Sequence, residues 1–477
     1  MVVFRVALLF VVLIANVVFC VPALANVEFD QETIDKLDAL VDSKVSWAGN
    51  TPAYSILIDQ GGEIVYERNT GFADIGNRIP ATRNTVYKLG SITKSFTALA
   101  VLQLVEKGEI DLDGTVSNYL ADFEGPASEV TVRQLLAHTS GIPNYTALPE
   151  AAPILSGLVT TREDIVALFR DKPLEFEPGS NYSYSNSGYY LLGLIIEAVS
   201  EQDYFDYINT NIFEPFDLQA TYAGDYAEIV SPQARGYLVT PDGYVNAVQT
   251  PQLTPFSAGT LDGSAADLIK YRRAVFKSET TSEQLRDLIT TTGTFPGGVK
   301  QRYALGALTI TDFYGHRKWG HSGGITGFAS HHEYFPDDDI TIVAFVNANG
   351  APVGLGSLIA KMAREIFSVP QPGDTEVDVS PQLLESYVGK YRMSPFRLFG
   401  EFARIVLKEG ALQLQVNDDD ENPSLIPLFP RADNEFVLAI DDELRIRFMT
   451  LAGEVTGLEL FNYDRVMPAY KIQPNQE

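Results

Sequence analysis

Cysteine is almost missing from this chain, and positive charge is scarce. One cysteine, Cys20, stands among 477 residues. It lies in an apolar leader, so the rest of the chain carries no thiol, no disulfide and no cysteine metal site. Stability must come from packing, which about 450 residues readily supply. Lys and Arg number 35 against 62 Asp and Glu, a net charge of −27. Such a surface repels nucleic acid and anionic membrane, and neither is expected as a partner. The acidic residues are spread along the chain apart from Asp418-Asp419-Asp420-Glu421, which reads as an acidic, soluble surface. Histidine is sparse too, at 5 residues. His331 and His332 are adjacent, so on a strand they point to opposite faces and make a poor metal pair. His316 belongs to a turn. No metal and no other cofactor is expected. The chain has no internal repeat and no low-complexity tract.

The first residues have the form of an export signal. Arg5 precedes an apolar run from Val6 to Val21, and Ala23-Leu24-Ala25 is a small-x-small cleavage site. Cleavage before Asn26 would leave residues 26–477 periplasmic or extracellular, without stable membrane insertion. An uncleaved anchor is the alternative, because the run approaches the lower limit for a membrane helix. Val17-Val18-Phe19 lacks the small residue expected before a lipid-modified cysteine, so Cys20 is apolar filler.

Hydrophobic spacing then divides the chain. Residues 31–46 read as an amphipathic helix with Ile34, Leu37, Leu40 and Val41 on one stripe. Ala53 to Asp59 and Glu63 to Glu67 read as strands joined at Gly61-Gly62, a hairpin signal. Ser91 to Lys107 reads as a helix ended by Gly108; another begins near Thr131, and a third runs from Gly188 to Val199. Lys318 to Ser330, His331 to Phe335 and Ile340 to Asn347 read as strands, and Leu355 to Phe367 as a closing helix. Strands at both ends and helices between them suggest one sheet built from the termini with an inserted helical subdomain, an α/β architecture with its cleft at the junction. Val369 to Pro381 reads as a linker, with residues 370–380 between domains. From 381 to 477 the pattern changes to short strands: Tyr391 to Met393, Ile405 to Leu407, Leu412 to Val416, Phe436 to Leu438, Leu444 to Met449 and Thr456 to Phe461. That is a small barrel-like β domain.

Three short motifs carry chemistry: Ser91-Ile92-Thr93-Lys94, Tyr184-Ser185-Asn186 and His321-Ser322-Gly323. Ser91 and Lys94, three apart at a helix start, share a face. An amine there can take the serine proton if its pKa is lowered, and the helix N-terminus favours negative charge at the nucleophile. Alone, the pair reads more simply as an N-cap serine beside a solvated lysine. A Ser-x-x-Lys arises by chance about once or twice in a chain this long. Tyr184 and Asn186 alternate in what reads as an extended loop, which places both side chains on one side. Tyr184 can shuttle a proton; Asn186 can hold a substrate carbonyl or steady Lys94. His321 is followed by Gly323 and Gly324, glycines that allow backbone N–H groups close to a substrate, as an oxyanion hole requires. The imidazole could anchor a substrate carboxylate or polarise the tyrosine. The ordered trio is far less accidental than any one member.

With these motifs the chain resembles the serine β-lactamase-like, penicillin-binding-protein-like hydrolases. Class C β-lactamases, D-alanyl-D-alanine carboxypeptidases, D-aminopeptidases and related esterases are the nearest branches. Leu135-Leu136-Ala137-His138-Thr139-Ser140-Gly141, Phe176 to Gly193 and Trp319 to Phe328 extend the likeness across residues 31–368. Tyr387-Val388-Gly389-Lys390-Tyr391 is similar to the opening of lipocalin-like domains attached to these hydrolases. The resemblance implies a β-lactamase/transpeptidase fold, an antiparallel sheet flanked by helices. It implies Ser91 as the acylated nucleophile, Lys94 as its base and Tyr184 as a second base that protonates the leaving group. Asn186 would contact the substrate amide, His321 takes the place where many members have lysine, and Ser91 and Gly324 would supply the oxyanion hole. His138 would be structural. Tyrosine in the second motif points away from class A enzymes, and histidine in the third points toward peptidase and esterase branches. Pro215-Phe216-Asp217-Leu218 and Gly259-Thr260 depart from the family's usual turns and leave substrate choice open. The expectation is an exported serine hydrolase of a small amide or ester, most plausibly a D-amino-acid peptide. A carboxylesterase, or a sensor that binds β-lactams or cell-wall fragments without turnover, is the alternative. Oligomeric state is not fixed by sequence.

Overall fold

The computed structural model describes residues 27–472 apart from 46–50, 156–160, 223–229, 297, 299, 351–353, 370–376, 394–401, 416–423, 439–440, 452 and 463–464. The export signal, most of the expected linker and the Asp418–Glu421 run lie outside the described residues.

Glycine sets the first hairpin. Strand β1 (Tyr54–Gln60) turns at Gly61 and Gly62, with φ of 60° and 102°, into β2 (Glu63–Thr70). Both positions need the left-handed region that glycine enters without strain. Five later strands complete the sheet: β3 (Tyr303–Ala304), β4 (Leu308–Phe313), β5 (His316–Ile325), β6 (Phe328–Phe335) and β7 (Ile340–Val346). Among the described residues they form a seven-stranded sheet in the order β3-β4-β5-β6-β7-β1-β2. Every pairing in it is antiparallel. The sheet therefore joins the two ends of the hydrolase region, as the hydrophobic pattern suggested. The turn between β5 and β6 falls at Thr326-Gly327 rather than after Ser330. Gly327 has φ of 84°, and the chain reverses where that conformation is accessible.

Alternation along central strands feeds two cores. Leu57, Val343 and Phe345 face helices α2 (Thr93–Glu106), α3 (Asn186–Ser200) and α4 (Ala265–Lys277). Ile56, Ile58, Ile342, Ala344 and Val346 face α1 (Gln31–Val45) and α5 (Leu355–Ile366). All seven residues of β7 are buried, which explains its unbroken apolar run. No helix among the described residues is long and apolar enough to cross a membrane.

Helix α6 (Pro381–Tyr387) follows the linker, capped by Ser380 with Pro381 in its first turn. Pro381 thus starts a helix rather than ending a linker. Eight strands follow: β8 (Gly389–Met393), β9 (Phe402–Lys408), β10 (Ala411–Gln415), β11 (Leu425–Ala432), β12 (Glu435–Leu438), β13 (Asp441–Leu451), β14 (Glu454–Asn462) and β15 (Arg465–Lys471). Each pairs with the next and β15 pairs back to β8, closing a barrel. The barrel has its own core, including Tyr391, Ile405, Leu414, Phe436, Ile446 and Phe448.

Candidate active site

The nucleophile motif begins one turn before its helix. Gly90–Ile92 is a 3-10 turn and α2 starts at Thr93, so Ser91 stands at the entrance and not at an N-cap. Gly90 has φ of 53°. A Cβ there would lie 2.7 Å from the Gly324 amide nitrogen. Gly323 is tighter still: its Cβ would meet the Leu89 carbonyl oxygen at 2.0 Å and Ser330 Oγ at 2.3 Å. These glycines let β5 touch the nucleophile turn, backbone against backbone. The Ser330 hydroxyl donates to the Leu89 carbonyl at 2.7 Å and closes the contact.

Lys94 is fully buried. Its Nζ bonds Ser91 Oγ at 3.1 Å, Asn186 Oδ1 at 2.8 Å and the Ala258 carbonyl at 2.6 Å. An ammonium would spend all three protons on them. A neutral amine would donate two to the carbonyl-type oxygens and leave its lone pair for the Ser91 hydroxyl. That geometry is what a base for Ser91 requires. Asn186 is fixed in turn, because its Nδ2 donates to Thr146 Oγ1 at 3.0 Å and its backbone N–H to Asn144 Oδ1 at 3.1 Å.

The second motif is not an extended loop throughout. Ser185 is the N-cap of α3 and Asn186 its first residue. Tyr184 and Asn186 still reach Lys94 together, since Nζ lies 4.9 Å from the Tyr184 ring centroid. His138 holds this segment in place. Its Nδ1 accepts the Ser185 N–H at 3.1 Å, and its ring packs on Tyr184 at 4.2 Å and Tyr189 at 5.0 Å. Burial first, then the Lys94 and His321 charges, push the His138 pKa well below the ordinary histidine value. This favours the neutral ring, with Nδ1 the acceptor and the proton on Nε2, which is buried with no hydrogen-bond partner among the described residues. The loops also pair through backbone: Gly179 N–H to the Thr139 carbonyl, Ser183 N–H to the His138 carbonyl and Glu175 N–H to the Gly141 carbonyl.

His321 lies on β5 beside the cleft. Pairing between β4 and β5 stops at Thr309 with Gly320. Beyond that point β5 has no β4 partner among the described residues and runs past the nucleophile turn. Gly324 is exposed with nothing within 4 Å of a built Cβ. The His321 Nδ1 is 2.5 Å from the Ser322 carbonyl, which makes Nδ1 the protonated nitrogen. Nε2 is 2.8 Å from the Tyr303 hydroxyl. Beyond Gly324, Lys88, Gln233, Arg235, Gln249, Thr326 and Phe328 line part of a pocket of about 400 Å³.

Sequence reasoning missed two members of the site. Tyr303 is buried, bonds His321 and packs on His138 at 4.7 Å. The Ala258 carbonyl, which binds Lys94, is backbone, and the nearby Gly259-Thr260 departure was its only signal. His331 and His332 do face opposite ways. His331 Nε2 meets Glu333 Oε1 at 2.9 Å, while His332 Nε2 meets Arg272 Nη2 at 2.6 Å on the face that carries His321. His316 opens β5, where its Nδ1 meets Asp338 Oδ2 at 2.9 Å.

Known proteins are similar to this chain in sequence and fold. Penicillin-binding protein 4* of Bacillus subtilis strain 168 is 28% identical over 407 residues, 80% of this chain and 87% of that protein. A D-stereospecific amidohydrolase from Streptomyces sp. superposes with a TM-score of 0.60 at 26% identity, over 71% of this chain and 99% of its own. The octameric penicillin-binding protein homologue from Pyrococcus abyssi has a TM-score of 0.60 at 24% identity and covers 92% of this chain and 99% of its own, a likeness of fold that extends over the barrel. Residues 32–363 match the family described as Beta-lactamase, a span that holds all three motifs. That match covers well over half of the chain: the chain belongs to the beta-lactamase family and is a serine hydrolase.

Proposed function

We propose that the chain is exported and cleaves a small amide or ester, most plausibly a D-amino-acid peptide, through a Ser91 acyl-enzyme. The observation that carries this reading is the shell of Lys94 against Ser91, Asn186 and the Ala258 carbonyl. Ser91 Oγ attacks the substrate carbonyl carbon as its proton passes to Lys94 Nζ. The carbonyl oxygen gains the charge, and the Ser91 and Gly324 N–H groups stabilise it. Lys94 and Tyr184 return the proton to the departing amine or alcohol. Water then hydrolyses the ester by the same route, releasing the acid and restoring the hydroxyl. Asn186 orients the substrate amide. The engagement of both His321 nitrogens favours a relay and positioning role for that residue over a free cation that anchors a carboxylate. The D-stereospecific amidohydrolase at 26% identity supports the amide reading.

The test is labelling with a fluorescent fluorophosphonate, wild type beside Ser91→Ala. A panel of p-nitrophenyl esters, D-alanine p-nitroanilide, a D-Ala-D-Ala peptide and nitrocefin follows. Labelling should vanish in Ser91→Ala, and turnover should fall on the order of 10³-fold or more. The fastest substrate chooses between peptidase, esterase and lactamase. Full activity in Ser91→Ala would refute the acyl-enzyme. A β-lactam adduct that never turns over would move the reading to a sensor.

A further inference from the structure

Arg302 and Tyr303 are neighbours in an extended segment, so their side chains leave it on opposite sides. Tyr303 turns inward, and its hydroxyl meets His321 Nε2 at 2.8 Å. Arg302 turns toward the barrel. Its Nε and Nη2 bind Glu459 Oε1 and Oε2 of β14 at 3.0 Å each. This two-bond fork fixes the guanidinium plane as well as its distance. Glu459 is buried, at 5% exposure, while the Arg302 side chain stays one-third exposed, at 33%. The strand the pair grips is short, and its other holds lie at its flanks, where the Gln301 N–H donates to the Gly293 carbonyl at 2.9 Å and the Leu305 N–H to the Thr291 carbonyl at 3.0 Å, and at the Tyr303 ring, which packs on His138 and Tyr182. β3 is two residues long, with two register pairs to β4. The one further backbone bond at Arg302 itself is from the Ile310 N–H to its carbonyl at 2.7 Å.

We propose that the barrel belongs to the positioning apparatus of the hydrolase site: Glu459, through Arg302, fixes Tyr303 and thereby the tautomer and orientation of His321. This rests on the acyl-enzyme reading above, in which His321 borders the cleft. Arg302, Glu459 and Tyr303 are positioning residues, since none reaches the reacting atoms. With Nδ1–H committed to the Ser322 carbonyl, Nε2 accepts the Tyr303 hydroxyl proton. If β3 drifts, that bond is lost, and the ring position and proton equilibrium of His321 change with it. The barrel is then a working part of the site and not an appended stabiliser.

The experiment compares full-length wild type, Arg302→Met, Glu459→Gln, Tyr303→Phe and the doubles with Tyr303→Phe. Two readouts are taken: the fluorophosphonate labelling rate against pH, and the His321 imidazole titration by NMR. Each single variant should lower labelling about tenfold, since a displacement of about 1 Å at a catalytic site can cost on the order of 100-fold. The His321 titration should move in the same direction in all three. The doubles should lose no more than Tyr303→Phe alone, because both changes cut one chain of contacts. Additive losses, or wild-type rates and titrations in Arg302→Met and Glu459→Gln, would overturn the proposal. Arg302→Lys, which keeps the charge and loses the fork, replaces Arg302→Met if that variant does not fold. A wild type that is not labelled at all refutes the hydrolase reading instead, and the NMR titration then decides the barrel's role by itself.

Discussion

At the scale of single residues, the three motifs were readable because the chemistry is local: Ser91 and Lys94 are one helical turn apart in sequence as in space. Tyr303 was not readable. It follows Lys300-Gln301-Arg302 with no motif to mark it, and only the sheet brings it to His321 across 18 positions of chain. The paired glycines of the third motif show how far residue type alone decides. Gly323 and Gly324 look equivalent in sequence, but a methyl group on Gly323 would overlap the Leu89 carbonyl, while one on Gly324 would meet nothing within 4 Å. Gly323→Ala should therefore drive β5 off the nucleophile turn. Overpacking of this kind costs about 1–3 kcal/mol, and labelling at Ser91 should fall by more than tenfold. Gly324→Ala should melt with the wild type. Calorimetry beside the labelling assay separates them, and equal behaviour of the two variants would mean that the contact at Gly90 and Leu89 does not set the site.

Elements were legible where one physical signal dominated. The β1–β2 hairpin followed from Gly61-Gly62 and the buried β7 from its β-branched run. Two barrel strands were hidden by proline. β11 contains Pro427 and Pro430, and β15 contains Pro468. Proline removes a ladder donor and argues against a strand, yet here Pro427 pairs with Gln413, Pro468 with Glu459, and the register shifts between Pro430 and Ala432 to absorb the missing bond. Closure of the barrel outweighs the local penalty. The short helix Val132–Leu136 is the opposite case, small but well signalled. Thr131 accepts the Gln134 N–H at 3.3 Å, and the Gln134 side chain accepts the Thr131 N–H at 2.9 Å. This capping box leads into His138, which supports Tyr184. Thr131→Ala should cost about 1 kcal/mol, read as a lower urea midpoint, with a much smaller loss of labelling because His138 keeps its ring contacts. An unchanged midpoint would show that the cap is idle.

On the scale of the whole molecule, an acidic chain gathers arginines where its two parts meet. Besides Arg302 on Glu459, the Arg447 Nη2 of β13 binds Asp312 Oδ1 at 2.9 Å, and Arg445 Nη2 binds the Asp312 carbonyl at 3.0 Å. Tyr314, in the turn after β4, takes a bond from Arg364 of α5 and another from Arg431 of β11, whose guanidinium lies 3.7 Å from its ring centroid. The barrel thus grips the hairpin of β4 and β5, and the far end of β5 carries His321, Gly323 and Gly324. None of this could be read from sequence, since no spacing links position 312 to 447. The pairing does predict a response to acid. Burial works to raise the Asp312 pKa, but Arg447 and Arg445 outweigh it and hold the carboxyl below its ordinary value. A carboxyl depressed in the folded state adds stability above its unfolded pKa, about 3.9, and that stability is lost as pH falls through the lower folded value. Docking should therefore hold through neutral and mildly acidic pH and loosen below about pH 4. Hydrogen exchange along β4 and β13 should speed up there before the core of β7 opens. Asp312→Asn should exchange faster at those strands at neutral pH and show a weaker acid step. An acid step of wild-type size in Asp312→Asn would assign the transition to other carboxylates and remove Asp312 as the hinge of docking.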